Sequence, residues 1–355
     1  MVDVGSVECE FNRRYSLVTR KILRLLSENS RITLTEMSRE LGLSRRNVTK
    51  RLRKIEKEFN IHYIINVSKT RIGLNNPHLT LVRFRKKPGM ALLTALFKKS
   101  YIPQLVVPVK KGKGSYDLLI YSNSTSFRDY ANWDRDMRGE LMQKYGMRWE
   151  QSQIVFTRLG HIPLRNEILQ RARVEEHEKK MLMLLNGDSR MQLKELAKRM
   201  GMNYKTCIYQ FNELLKKKYI KRFTIAMEMS ENMSFMSLFA KYVPVESHAR
   251  ASGYSRLLFA RDEPDSLISR YILKMSLVGA YDSFSLGVFD NFKDSYKYVV
   301  QEYKRLMGRL APTEVEYGEL DKPILGLLPI SSIDIRKEYT SIGHSAMGYL
   351  VKNAK

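Results

Sequence analysis

Apolar positions at Leu17, Ile22, Leu25 and Leu26 recur at helical spacing and predict a first helix over residues 17–28. Ser30-Arg31-Ile32 reads as a short bridge. Thr33 or Thr35 can cap a second helix that ends near Leu41, and Gly42 supplies the positive φ of a tight turn. Ser44 then caps a third helix from Arg45 to about Phe59, and Ile61–Val67 alternates as a wing strand would. Beyond residue 78 the period changes. Leu79–Phe84, Gln104–Val109, Tyr116–Tyr121 and Trp149–Thr157 read as strands, and Ala91–Lys99 and Ser126–Lys144 as helices. Lys110-Lys111-Gly112-Lys113-Gly114 reads as a basic hairpin turn. The order is β-α-β-β-α-β, the ferredoxin-like pattern. Residues 161–178 are polar and read as a helical connector.

The pattern then repeats. Residues 20–61 align without a gap on residues 179–220 at an offset of 159, so Ser30-Arg31 falls on Ser189-Arg190 and Gly42 on Gly201. Gly279-Ala280-Tyr281-Asp282 mirrors Gly114-Ser115-Tyr116-Asp117 at an offset of 165. The predicted fold class is α+β, with two winged helix-turn-helix domains alternating with two ferredoxin-like βαββαβ domains. The expected divisions are 1–75, 76–160, a linker helix 161–177, 178–230, 231–328 and a tail 329–355.

The third helix of each three-helix unit carries the candidate chemistry. In the first copy Val48, Leu52, Ile55 and Phe59 share one face and are assigned to the core. The opposite face holds Arg46, Thr49, Lys50, Arg53 and Lys57, with Arg45 in the first turn and Arg51 on the flank. A cationic face on the last helix of such a unit suits the DNA major groove, where Arg and Lys donate to guanine edges. In the second copy the corresponding face is Lys205, Ile208, Tyr209, Asn212 and Lys216, over a core of Cys207, Phe211 and Leu214. It either reads DNA by apolar and amide contacts or is a copy kept for packing. Lys216-Lys217-Lys218, Lys221 and Arg222 are candidate backbone clamps or solvated charges.

Charge sharpens this picture. The net charge is +25, distributed as +8 over residues 1–78, +9 over 79–170, +7 over 171–229 and +1 over 230–355. A polyanion partner fits the first two-thirds, and a near-neutral last segment fits ligand sensing or protein contact. Two cysteines, Cys9 and Cys207, exclude a disulfide framework and a cysteine-rich zinc site. No apolar run is long enough to span a bilayer and no signal peptide is read, so a cytoplasmic location is expected, with no membrane partner, metal or cofactor.

Leu41-Gly42-Leu43-Ser44, then Val48-x-x-Arg51-Leu52-x-x-Ile55-Glu56 and Ile61, resembles the winged helix of the Lrp/AsnC (feast/famine) transcription regulators. Gly114-x-Tyr116-Asp117 resembles their ferredoxin-like sensing domain. The resemblance implies a non-enzymatic, sequence-specific regulator of double-stranded DNA, made as two such subunits in tandem. It implies DNA contacts at Arg45, Arg46, Thr49, Lys50, Arg51, Arg53, Lys205, Tyr209 and Lys216. It also implies a small amino acid-like effector and self-association of the sensing sheets, within the chain or between chains. The second helix departs from the family, with Cys207 and Gln210 where Val48 and Arg51 stand. Two other readings share the residues. The siroheme decarboxylases have this layout and take an anionic tetrapyrrole, although the six histidines (62, 78, 161, 177, 248 and 344) form no pair at ligand spacing. A non-specific architectural protein would use charge alone, with Arg83, Arg85, Lys86, Lys87, Lys110, Lys111 and Lys113 extending the contact.

Overall fold

Ser16 starts the first helix by accepting a hydrogen bond from the Thr19 backbone N–H, and the chain winds as α1 (Leu17–Glu28). The computed structural model describes residues 16–113, 116–157, 162–228, 234–241, 271–278, 283–289 and 314–329. Thr33 and Glu36 form a reciprocal capping box at α2 (Leu34–Leu41), which satisfies two otherwise orphaned donors. Gly42 ends α2 at φ +63°, a conformation that side chains resist, and Ser44 caps α3 (Arg45–Glu58). Ile22, Leu23, Leu26, Met37, Val48, Leu52, Ile55 and Phe59 are buried together; the α3 face is the one read from the spacing, whereas in α1 Leu17 is exposed, Leu25 is half-buried and Leu23 joins the core instead.

β1 (Ile61–Val67) follows and leads to β2 (Asn76–Phe84), α4 (Met90–Lys98), β3 (Pro103–Lys113), β4 (Leu118–Ser124), α5 (Phe127–Tyr145) and β5 (Trp149–Thr157). These strands lie in the order β3-β4-β2-β5, all neighbours antiparallel. Alternation sorts the side chains. Leu79, Leu81, Leu105, Val107, Leu119 and Tyr121 join the core of the first helical unit, and Val82, Phe84, Val106, Leu118 and Ile120 pack on Tyr130 and Trp133 of α5. Asp117 of the Gly-x-Tyr-Asp motif is a brace: its carboxylate accepts from Phe84 N at 3.0 Å.

The connector differs from its reading. Among the described residues of the connector, only the four of α6 (Asn166–Leu169) are helical before α7 (Glu176–Gly187), and Ile162, Leu164, Ile168 and Leu169 are buried. Leu164, Ile168 and Leu169 join the core of the second helical unit and Ile162 that of the first, so the segment tucks against the helical units instead of bridging through solvent. That unit continues as α8 (Leu193–Met200), α9 (Tyr204–Lys216) and β6 (Ile220–Met227), with Gly201 at φ +70° matching Gly42.

The predicted wing strand is not a free wing. β1 pairs antiparallel with β6, with Ile64 opposite Thr224, so the two helical units share one sheet. Beyond them, β7 (Ser234–Lys241), β8 (Tyr271–Val278), β9 (Ser283–Phe289) and β10 (Glu314–Leu320) lie in the order β8-β9-β7-β10. β10 pairs with β3 and β5 with β8, closing eight strands into a barrel within one chain. This closure overturns the hairpin-turn reading of Lys110–Gly114. Residues up to Lys113 continue β3, with Lys111 opposite Glu319 and Gly112 opposite Gly318. A partner strand some 200 residues away outweighs the local turn signal of the glycines. β11 (Leu328–Pro329) returns to β6. The helices expected between β7 and β8 and between β9 and β10, and the tail after Pro329, lie outside the described residues.

His78 sits fully buried on the α5 side of this sheet, edge-on to Tyr130 at 3.9 Å, with Nδ1 2.9 Å from Asn76 O. Burial lowers its pKa to about 4, so it stays neutral when folded. The unfolded chain takes up a proton from about pH 6.5 downward and the folded chain does not until about pH 4. Stability is therefore fully present above about pH 6.5 and falls between those values, by about 3 kcal/mol for this group. Urea unfolding at pH 7 and pH 4.5 is expected to show a smaller loss in His78→Leu than in the unmodified chain.

Candidate nucleic-acid interface

Capping and core burial together turn one side of α3 outward. With Val48, Leu52 and Ile55 buried and Ser44 accepting from Asn47 N, the exposed residues are Arg45, Arg46, Asn47, Lys50, Arg51, Arg53, Lys54, Lys57 and, at the C-terminal end, Glu58. Thr49 is half-buried, and its hydroxyl donates to Arg45 O at 2.8 Å, which fixes its rotamer. Among the described residues no carboxylate pairs with any of the seven cations of this helix, whereas Glu56 is drawn to Tyr63 and Arg190. The first turn has no acidic residue and carries Arg45 and Arg46 at the positive end of the helix dipole. That placement is mildly unfavourable in isolation and becomes favourable when an anion binds there.

α9 presents a different surface. Asn203 caps it by accepting from Thr206 N at 2.8 Å, and Cys207, Phe211 and Leu214 are buried. Desolvation raises the Cys207 thiol pKa, so it is a core residue. Lys205 is exposed, as are Tyr204 at 45% and Tyr209 at 63%. Ile208, read as part of the exposed face, is half-buried. Lys216 pairs with Glu213 at 3.6 Å, and Lys217 holds Glu178, which is 97% buried by its 3% exposure. Lys217 thus anchors α9 to α7 and is not a free clamp. The basic residues of the first sheet are also partly engaged: Arg85 lies 3.8 Å from Glu150, Lys110 lies 3.6 Å from Asp321, and Lys87 donates to Val109 O.

The two helices are held by a reciprocal interlock that the sequence reading passed over. The hydroxyls of Ser30 and Ser189 meet at 2.6 Å. Arg31 donates to Ser189 O (2.6 Å) and Met191 O (2.9 Å), and Arg190 donates to Ser30 O (2.6 Å). Ser30 N donates to Phe223 O and Ser189 N to Tyr63 O. The Arg31 guanidinium lies over Phe211 and Phe223, and that of Arg190 over Tyr63 at 4.1 Å. The Arg-to-Ser carbonyl bonds and the backbone bonds to β6 and β1 are matched on both sides, while Arg31 additionally reaches Met191 O and the Phe211 ring, so the two units are related by an approximate local two-fold. The signal was present: a Ser-Arg pair at the same place in both copies, where a solvent-exposed bridge needs neither residue.

The winged helix-turn-helix DNA-binding family matches residues 17–58 and 175–221, one stretch in each half of the chain. No curated protein sequence matches the chain. Among solved structures, the siroheme decarboxylase NirDL is similar at a TM-score of 0.54 and 13% identity, over 93% of this chain and 99% of that one. The same enzyme in complex with an iron-uroporphyrin III analogue gives 0.54 and 12%, over 93% and 98%. A transcriptional regulator from Neisseria meningitidis in complex with L-Met gives 0.35 and 23%, over 41% of this chain and 93% of that one. The NirDL likeness is one of fold, and it corrects the expectation of a non-enzyme. Nearly the whole architecture is one on which an enzyme is built, so fold cannot be used to set catalysis aside. Among the described residues, no helix is long and apolar enough to cross a membrane, and no group of three or more His, Cys, Asp or Glu is placed to hold a metal.

Proposed function

We propose that the chain is a sequence-specific regulator of transcription of the Lrp/AsnC type, two subunits fused in tandem, that places α3 in the major groove of double-stranded DNA. The observation that carries this is the unpaired cationic face of α3, aimed outward from a capped helix-turn-helix. Arg46 and Arg53 donate to base edges, Arg45, Lys50 and Arg51 reach bases or phosphates, and Thr49 lines the groove. Lys205, Tyr209 and Lys216 of α9 form the second contact. The divisions at about residues 75, 160, 177, 230 and 328 separate DNA-reading from sensing parts, and the barrel is where an amino acid-like effector acts. Selection of bound fragments from randomised duplex DNA at about 150 mM salt tests this, because salt weakens non-specific contacts. An enriched motif is expected; binding without enrichment contradicts sequence-specific reading.

A second reading rests on the full-length fold likeness to NirDL: a tetrapyrrole enzyme. Adding siroheme to the purified chain separates the two. Saturable changes in the tetrapyrrole absorbance, followed by loss of carboxyl groups from siroheme as CO2, support the enzyme. An unchanged spectrum alongside an enriched DNA motif supports the regulator.

A further inference from the structure

α3 and α9 occupy equivalent places about the Ser30–Ser189 contact, yet their outer faces differ residue by residue. At the offset of 159, Lys50 is replaced by Tyr209, Arg51 by Gln210, Arg53 by Asn212 and Lys54 by Glu213. α3 carries seven cations and two carboxylates, and α9 carries two cations and one carboxylate. Of the two cations of α9, Lys216 is paired with Glu213, which leaves Lys205 as the one unpaired among the described residues. Tyr209, at 63% exposure, and Asn212 lie three residues apart, and so share one stripe with Lys205. Among the described residues nothing packs on the Tyr209 ring, which is 63% exposed. Its apolar edge suits the thymine methyl group, and an exposed asparagine on a groove-facing helix matches the N6 and N7 of adenine.

We infer that the chain reads an asymmetric site, with α3 on a guanine-containing half and α9 on an A·T half through Tyr209 and Asn212. This rests on the DNA-binding reading above, and it adds which bases each half requires. A symmetric pair of identical helices would read a palindrome; here the two-fold frame carries two unlike reading heads.

The test uses the full chain and the duplex recovered from selection. The expected site has one half with guanine at its centre and one with adenine and thymine. Replacing thymine by deoxyuridine in the A·T half removes one methyl per base, and is expected to weaken binding about fourfold per contacted methyl. The same replacement is expected to have no effect in Tyr209→Ala, because the partner of the methyl is gone. Asn212→Ala is expected to weaken binding roughly 5- to 150-fold at the contacted adenine and to relax the preference there. Both positions are exposed, so both variants should melt with the unmodified chain. Two guanine-centred halves, a single enriched half, or a deoxyuridine effect that persists in Tyr209→Ala would each overturn the inference while leaving DNA binding by α3 intact. Failure to bind any duplex would remove both readings together.

Discussion

Arg46→Ala is expected to weaken binding to the selected duplex by about 1–3 kcal/mol, roughly 5- to 150-fold, and to weaken binding to random duplex much less. The argument begins with the helix. Arg46 stands in the first turn of α3, exposed, and unpaired among the described residues. In a major-groove helix the N-terminal turn reaches deepest. A bidentate pair to guanine is lost whole when the guanidinium is removed, because alanine carries no donor. A phosphate contact would instead be lost equally on every sequence, so equal losses on both duplexes would reassign Arg46 to the backbone. Arg46→Lys separates the two further: a point charge serves a phosphate but not the two acceptors of guanine. Folding should be unaffected, since the side chain is exposed, and a melting curve checks that.

The second large effect concerns the interlock. Arg31→Ala is expected to destabilise the chain by about 2–4 kcal/mol, read from urea unfolding. Arg31 is half-buried, and burial lowers its pKa, partly offset by Asp188. Its hydrogen bonds to Ser189 O and Met191 O satisfy carbonyls that the alanine variant leaves unpaired, and its stacking on Phe211 and Phe223 is lost as well. Arg190→Ala should cost a similar amount by the same reasoning. The effect reaches function because this contact fixes the separation of α3 and α9. The unmodified chain should prefer one spacing of half-sites, and Arg31→Ala should tolerate changes of one or two base pairs. A sharp spacing preference that survives in the variant would show that the shared β1–β6 sheet alone sets the geometry.

Much of this was legible in the chain, and the division has a physical basis. The core faces of α3 and α9 follow from apolar spacing, because local helix geometry decides which residues share a side. Ser44 and Asn203 are caps in the structure as read, because capping is a local interaction too. What escaped was long-range. Lys110–Lys113 carry the composition of a turn and become a strand only because β10 pairs with them. Ile61–Val67 looked like a wing and is instead buried at its end against β6. Ser30 and Arg31 looked like a bridge because their partners are Ser189 and Met191, far along the chain. In the candidate interface, Arg45, Arg46, Lys50, Arg51, Arg53, Lys205 and Tyr209 are exposed, while the pairing of Lys216 and Lys217 could not be seen without Glu213 and Glu178 in place.

Methylation interference at guanine N7 on the selected duplex tests the central claim most directly, because N7 lies in the major groove where α3 is placed. The account predicts that methylation of one or two guanines in a single half-site abolishes binding by the unmodified chain, and that Arg46→Ala becomes insensitive at one of them. Binding that is indifferent to N7 methylation throughout the site would contradict it, and would put the cationic face of α3 on the phosphates or away from DNA altogether.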